Sequence, residues 1–150
     1  METLFDKQTV EKCIKRIESL SLTSKSKWGK MNAAEMLDHC SKTMEIARNQ
    51  RHIKRIFLSY ILGQFIKKKF FDQSDTPKNS PTHSSFISHV ETETIDKYKL
   101  VLIGHLNAFC EGGENACTNQ AHAFFGKLSK QQWGMGMYKH LDHHLQQFGV

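Results

Sequence analysis

The chain contains only two prolines, and both fall in one polar stretch, DQSDTPKNSPTHS, at residues 72–84. Long apolar runs are missing too, since the most apolar stretch, at residues 56–66, is too short to span a bilayer. The first residues, METLFDKQTVEKC, have no apolar signal region. Stretches that alternate apolar and polar residues, as strands do, are also absent. We therefore expect an all-helical protein with no membrane span and one long loop.

Cysteine is scarce, and its spacing is uninformative. The four cysteines, Cys13, Cys40, Cys110 and Cys117, include no CxxC pair, so neither a zinc ribbon nor a thioredoxin-type site is indicated. A chain of 150 residues, 39% of them hydrophobic and 24% charged, can bury a core as a single domain over residues 1–150 without disulfides. We therefore expect reduced thiols and a cytoplasmic location.

Acidic residues are missing from Arg48 to Lys69, a segment that holds seven basic residues. Because the formal net charge of the whole chain is +6, the remainder is close to neutral and the basicity is local. We therefore expect no nucleic-acid partner. Three interpretations of this segment stay open: a core helix with basic ends, which we favour, a helix on an anionic membrane surface, and a contact to phosphates.

Apolar residues at three- and four-residue steps predict four helices. The residues predicted to be buried are, in the second helix, Ala33, Met36, Leu37, Cys40, Met44 and Ala47, in the third, Ile87, Val90, Ile95, Tyr98, Val101, Leu102 and Leu106, and in the last, Met137, Leu141, Leu145 and Phe148. The helices cover residues 7–20, 32–50, 85–110 and 129–148, and the segment at 51–71 continues as a helix or a bent helical turn. Asn32 with Glu35, and Ser129 with Gln132, have the spacing of capping boxes, which mark helix starts. Four helices with one long connection predict an all-α four-helix bundle.

Two histidines near the end of the chain, His140 and His144, are four residues apart. On a helix this spacing places both on one face, with Cβ atoms about 5–6 Å apart, so that they can bind one cation. His143 points roughly 100° away from His144 and is the weaker candidate. The motif is not that of the zincin proteases, which require glutamate at the position of Leu141.

A third ligand must come from elsewhere, and His39 is the best candidate. It lies seven residues after Asn32, and the midpoint of the histidine pair lies six residues before Phe148. At about 1.5 Å per residue these depths agree if the second and last helices are antiparallel. The alternative is that the histidines are structural or exposed. The remaining histidines show no informative pairing: His52, His83, His89, His105 and His122.

Two long phrases, KWGKMNAAEMLDHC and HAFFGKLSKQQWGMGMYKHLDHHLQQFG, resemble the DinB/YfiT-like superfamily of metalloenzymes. The resemblance is closest to a small member family of unassigned function. It implies a four-helix bundle in up-down-down-up order, with a long crossover between helices 2 and 3. It also implies a metal triad of His39, His140 and His144, and a homodimer. Characterised relatives are transferases dependent on a thiol cofactor and an isomerase.

Three neutral histidines and an open coordination position are typical of a catalytic metal site. Zinc, nickel or iron fits this ligand set, and a low-molecular-weight thiol is a candidate cofactor by the resemblance. Glu35, four residues before His39, is the candidate to orient a ligand or to accept a proton. We therefore expect a metal-dependent transferase or hydrolase that acts on a small molecule. The alternatives are a metal-binding protein without catalysis and a basic-surface binding protein.

Overall fold

The computed structural model describes residues 2–57, 59–72, 77–78, 86, 90 and 95–150. Within these residues the protein is all-α, and its only β pairing is an isolated bridge between His122 and Gly126. The described residues form five helices, where four were predicted together with a helix or bent helical turn at 51–71: α1 Lys7–Glu18, α2 Ala33–Ala47, α3 Ser59–Phe71, α4 Ile95–Ala116 and α5 Lys130–Gln147. None of the described helices is both long and apolar enough to cross a membrane.

Both predicted capping boxes are present. The Asn32 side chain accepts a hydrogen bond from the Glu35 amide, and the Glu35 carboxylate accepts one from the Asn32 amide. Ser129 and Gln132 exchange the same pair of bonds at the beginning of α5. These bonds satisfy amide groups that have no partner inside the helix, which is why α2 and α5 begin where the sequence predicts.

The hydrophobic core lies between α1, α2, α4 and α5. Both α1 and α2 pack against α4 and α5. The apolar stripes predicted for the second and last helices are buried: Ala33, Met36, Leu37, Cys40, Met44, Ala47, Met137, Leu141, Leu145 and Phe148. All four cysteines are free thiols, and none of them is exposed.

Contacts between α2 and α5 run in opposite senses along the two helices. Ahead of α2, the Lys27 amide donates to the Gln147 carbonyl at 2.7 Å, at the end of α5. Further along α2, the Thr43 hydroxyl lies 3.5 Å from His140 Nδ1, near the middle of α5. This arrangement places His39 on α2 at the same height along the helix axes as His140 and His144 on α5, as the sequence predicts.

The third predicted helix is placed too early in the sequence. In the structure α4 begins at Ile95, and Phe86 and Val90 lie outside it; residues 85, 87–89 and 91–94 lie outside the described ranges. Val101, predicted to be buried, is 43% exposed. Leu102, which was also predicted to be buried, is fully buried. Because one residue turns a helix by about 100°, the two neighbouring side chains cannot both face the core.

The predicted segment at 51–71 does contain a helix, α3 at Ser59–Phe71, but the interpretation of it as a core helix is wrong. Only Ser59 and Gly63 of α3 are buried. Gly63 faces the segment at 122–127. A Cβ on Gly63 would lie 2.8 Å from the Phe124 carbonyl oxygen, so only glycine allows this close approach. Five large apolar side chains of α3 are exposed: Tyr60, Ile61, Leu62, Phe65 and Ile66. Of the predicted loop at 72–84, only residues 72, 77 and 78 are described.

Candidate metal centre

Three histidines from two helices meet between α2 and α5. His39 Nε2 lies 3.0 Å from His140 Nε2. The ring centroids of His39 and His144 are 4.8 Å apart, and those of His140 and His144 are 4.7 Å apart. One nitrogen of each ring lies within 4.8 Å of the others. The structure thus brings together the three residues that the sequence predicted as ligands.

Burial keeps these imidazoles uncharged. His39 is 3% exposed, His144 is 8% exposed, and His140 is half-buried. Desolvation lowers the pKa of His39, lowers that of His140 well below its usual range, and lowers the pKa of His144 to about 3. A neutral imidazole has a free lone pair, which is the form that binds a metal ion.

Gln147 fixes the tautomer of His144. The Gln147 side chain donates through Nε2 to the Trp28 carbonyl at 2.6 Å, so its oxygen faces the histidine. This oxygen lies 2.8 Å from His144 Nδ1 and can only accept, which assigns the proton to Nδ1. The lone pair of His144 is therefore on Nε2, the nitrogen available to a cation.

Similar contacts orient the other two rings. His39 Nδ1 lies 3.3 Å from the Phe86 carbonyl, which can only accept, so its proton is on Nδ1 and its lone pair on Nε2. The Thr43 hydroxyl donates to the Cys40 carbonyl, which leaves its oxygen to accept from His140 Nδ1 at 3.5 Å. We therefore assign the lone pair to Nε2 in all three rings.

This donor set fits a divalent transition-metal ion. With these tautomers, the Nε2 atoms of His39 and His140 direct lone pairs at each other across 3.0 Å, an arrangement that a cation between them would stabilise. Nitrogens that share one tetrahedral ion at about 2.0–2.1 Å lie roughly 3.4 Å apart. The separation of His39 and His140 is therefore close to that of two metal ligands, and one nitrogen of each of the three rings lies within 4.8 Å of the others. Each proposed ligand also has an Nδ1 partner.

The structure places Glu35 in a helix cap. Its carboxylate accepts the Asn32 amide at 3.0 Å. A role in orienting a ligand or accepting a proton stays a prediction. Two other acids next to ligands in sequence form ion pairs, Asp38 with Lys42 and Asp142 with Arg16.

His143 does not belong to the cluster of ligand nitrogens. Its ring lies 5.6 Å from the Trp28 ring and 5.3 Å from the His144 ring, and its nitrogens are not among those that cluster. Burial lowers its pKa as well, but its position agrees with the 100° rotation expected from the sequence. His143 therefore offers a matched control for substitutions of the ligands.

Sequence reasoning missed the residues that orient the ligands. Gln147 follows His144 by three residues and Thr43 follows His39 by four, so helical spacing is a signal that could have identified both. The Phe86 carbonyl has no such signal, because it comes from the segment between α3 and α4. The Trp28 carbonyl likewise reaches Gln147 only through the tertiary fold.

A fourth histidine, His122, is enclosed by aromatic rings near α5. Its ring stacks on Phe125 with centroids 4.4 Å apart, and lies 5.3 Å from the Trp133 ring. Its Nδ1 accepts the amides of Phe124 and Phe125. Burial lowers the pKa of His122 to about 4, so this ring is also neutral near pH 7.

Comparison with known proteins identifies a family without assigning an activity. A family model described as "Protein of unknown function (DUF1569)" matches residues 4–149. The chain belongs to this family. No curated protein and no solved structure matches the chain. The relation to the DinB/YfiT-like superfamily stays a prediction from the residues quoted above.

Proposed function

We propose that this DUF1569 protein is a metal-dependent enzyme that binds one divalent ion through His39, His140 and His144. One observation carries the proposal: three neutral imidazoles from two helices meet, with Nε2 of His39 and His140 3.0 Å apart. Three histidine ligands leave a coordination position for a water or a substrate, as in catalytic rather than structural zinc sites. Zinc, nickel and iron all suit this set of ligands.

A bound ion of this kind supplies Lewis acidity, which lowers the pKa of a coordinated water or thiol. The residues of the chain position the ligands for it. Gln147 and the Phe86 carbonyl hold the Nδ1 protons of His144 and His39, and so keep both Nε2 lone pairs directed into the site. Burial between α2 and α5 limits access of water to the ligands.

We propose the reaction class of a transferase or a hydrolase that acts on a small molecule. A low-molecular-weight thiol is a candidate cosubstrate, and this part of the proposal rests on the resemblance to the DinB/YfiT-like superfamily. The same resemblance supports a homodimer. A reducing compartment such as the cytoplasm would suit the four free thiols.

We also propose that α1, α2, α4 and α5 form a bundle in up-down-down-up order, to which α3 is added. Contacts of α1 support this order. Phe5 stacks on Phe109 with centroids 4.8 Å apart, so the beginning of α1 lies near the end of α4. The Leu4 amide donates to the Gly134 carbonyl, near the beginning of α5. These neighbours of the beginning of α1 are consistent with an antiparallel α4 and a parallel α5.

The test is the metal content of protein purified without metal-affinity chromatography. We expect about one equivalent of zinc, nickel or iron per chain, measured by inductively coupled plasma mass spectrometry. His39→Ala, His140→Ala and His144→Ala should each lose the metal, whereas His143→Ala should retain it. Circular dichroism checks that each variant is folded. Metal that persists in all three ligand variants would contradict the site.

A second measurement distinguishes a metal-dependent enzyme from a protein that binds metal without catalysing a reaction. Metal-loaded and chelated protein should be screened against low-molecular-weight thiols with electrophilic partners, and against ester and amide substrates. Turnover that requires metal and is lost in His144→Ala supports the enzyme. Full metal binding without turnover in the screen supports the alternative of a non-catalytic metal site.

A further inference from the structure

The outer face of α3 is unusually apolar for a surface helix. At about 100° per residue, Ile61, Phe65 and Lys68 project to the side opposite the buried Ser59 and Gly63. Ile61 is 69% exposed and Phe65 is 73% exposed. Four more large hydrophobic side chains nearby are exposed: Phe57, Tyr60, Leu62 and Ile66. Contiguous exposed apolar surface of this kind marks an interaction site more often than chance exposure.

Positive charge flanks this apolar face on both sides. Lys54 precedes it, Lys68 and Lys69 follow it, and all three are exposed. A surface pocket of about 280 Å³ is lined by Phe65, Lys68, Lys69 and Asp72, which joins the apolar and basic parts. The segment from residue 48 to residue 69 contains no acidic residue. We call residues 54–69 of this surface the α3 patch.

The fold holds the α3 patch in place rather than leaving it as a loose helix. Arg55 donates to both the hydroxyl and the carbonyl of Ser59, which fixes the beginning of α3. Lys67 donates to the Lys127 carbonyl at 2.8 Å, and the Phe70 ring lies 4.8 Å from Phe125. The inner face is thus attached to the 122–127 segment, while the apolar side chains stay outside.

We propose that the α3 patch binds the surface of an anionic lipid bilayer. Aromatic and aliphatic side chains flanked by lysines are the composition of interfacial helices, whose apolar face enters the acyl boundary while lysines contact lipid phosphates. Two of the three most outward positions, Ile61 and Phe65, are apolar, which favours a bilayer over nucleic acid, whose backbone would be met by charged side chains. A second copy paired symmetrically through this face would bring lysines together and repel.

The test is cosedimentation with vesicles of phosphatidylcholine alone and of phosphatidylcholine mixed with phosphatidylserine. We expect binding to the mixed vesicles only, and a steep fall in binding as salt rises, because screening weakens the attraction of lysines to anionic lipid. His144→Ala should bind vesicles normally, so failure of the metal site and failure of this proposal can be told apart.

Matched substitutions locate the binding surface. Phe65→Gln should weaken vesicle binding about tenfold, because an apolar side chain no longer enters the bilayer. Leu100→Gln is the control, since Leu100 on α4 is 71% exposed and should leave binding unchanged. Lys68→Gln should weaken binding about fivefold, and Lys25→Gln, an exposed lysine before α2, should not. Thermal melts check that each variant is folded.

Three results would overturn the proposal. Equal loss of vesicle binding in Phe65→Gln and Leu100→Gln would place the contact elsewhere. A dimer by analytical ultracentrifugation that Phe65→Gln dissociates, without vesicle binding in the parent protein, would assign the patch to a second copy. Binding of duplex DNA that Lys68→Gln weakens and Phe65→Gln does not, again without vesicle binding, would assign it to phosphates.

Discussion

His144 and Gln147 form a buried hydrogen bond in which Nδ1 of the histidine lies 2.8 Å from the glutamine oxygen. The same glutamine donates to the Trp28 carbonyl, so the orientation of its amide is fixed. The last turn of α5 therefore sets both the tautomer and the direction of one proposed ligand. Partners of this kind influence metal affinity although they do not touch the ion.

Gln147→Leu should lower metal affinity by about 10- to 100-fold, because His144 loses the acceptor for its Nδ1 proton. Gln146→Leu is the matched control, since Gln146 is exposed and bonds Asp142 instead. Competition with a fluorescent zinc chelator measures both affinities. Equal affinities in the two variants would show that the bond to Gln147 does not tune the site.

Two glycines should respond to alanine in opposite directions. Gly29 has φ of +80°, and a Cβ there would lie 2.5 Å from Gln147 Nε2, so Gly29→Ala should destabilise the fold by about 1–3 kcal/mol and weaken metal binding. Gly104 is exposed within α4 with open space around it, so Gly104→Ala should stabilise by about 0.5–1 kcal/mol. Urea unfolding tests both signs, and stabilisation by Gly29→Ala would contradict the strained turn.

Glu35 allows a helix cap and a chemical role to be separated. Glu35→Ala removes the acceptor for the Asn32 amide and should cost about 1 kcal/mol of stability. Glu35→Gln keeps an acceptor oxygen and should cost less. If turnover is found, a loss of rate in Glu35→Gln at unchanged stability supports a proton acceptor; unchanged rate in this variant assigns Glu35 to the cap alone.

Acid should destabilise the metal-free protein partly through His122. In the folded protein the pKa of His122 is about 4, below the usual value of 6.5. The stability that depends on a neutral His122 is therefore fully present above pH 6.5, and the free energy of unfolding falls as the pH decreases from 6.5 towards 4. From pH 7 to pH 5 this loss is about 2 kcal/mol. His122→Asn keeps an acceptor for the Phe124 and Phe125 amides without titrating, so denaturation should show a correspondingly smaller loss. Identical pH dependence in both proteins would exclude this assignment.

Local features of the fold follow from the sequence because short-range interactions determine them. The capping boxes at Asn32 and Ser129 depend on residues three positions apart. The shared face of His140 and His144 depends only on the helical repeat. The buried face of α2 could be predicted as well, because the apolar residues on either side of His39 in the sequence indicated which face enters the core.

Tertiary packing decided what those short-range rules leave undetermined. The apolar residues of α3 surround the helix, so their pattern does not say which side is covered. Close approach to the Phe124 carbonyl requires Gly63 to face inward, and this leaves Ile61 and Phe65 exposed. The helix count and the exposure of α3 therefore differ from the expectation.

For the proposed site, the sequence by itself determined the three histidines and the helices that hold them. Only the tertiary structure decided that His39 and His140, 101 residues apart, face each other through Nε2. It also supplied the Phe86 and Trp28 carbonyls, which come from segments outside α2 and α5. The physical reason is that helical periodicity fixes which side chains share a face, whereas contacts between distant segments depend on how the whole core packs.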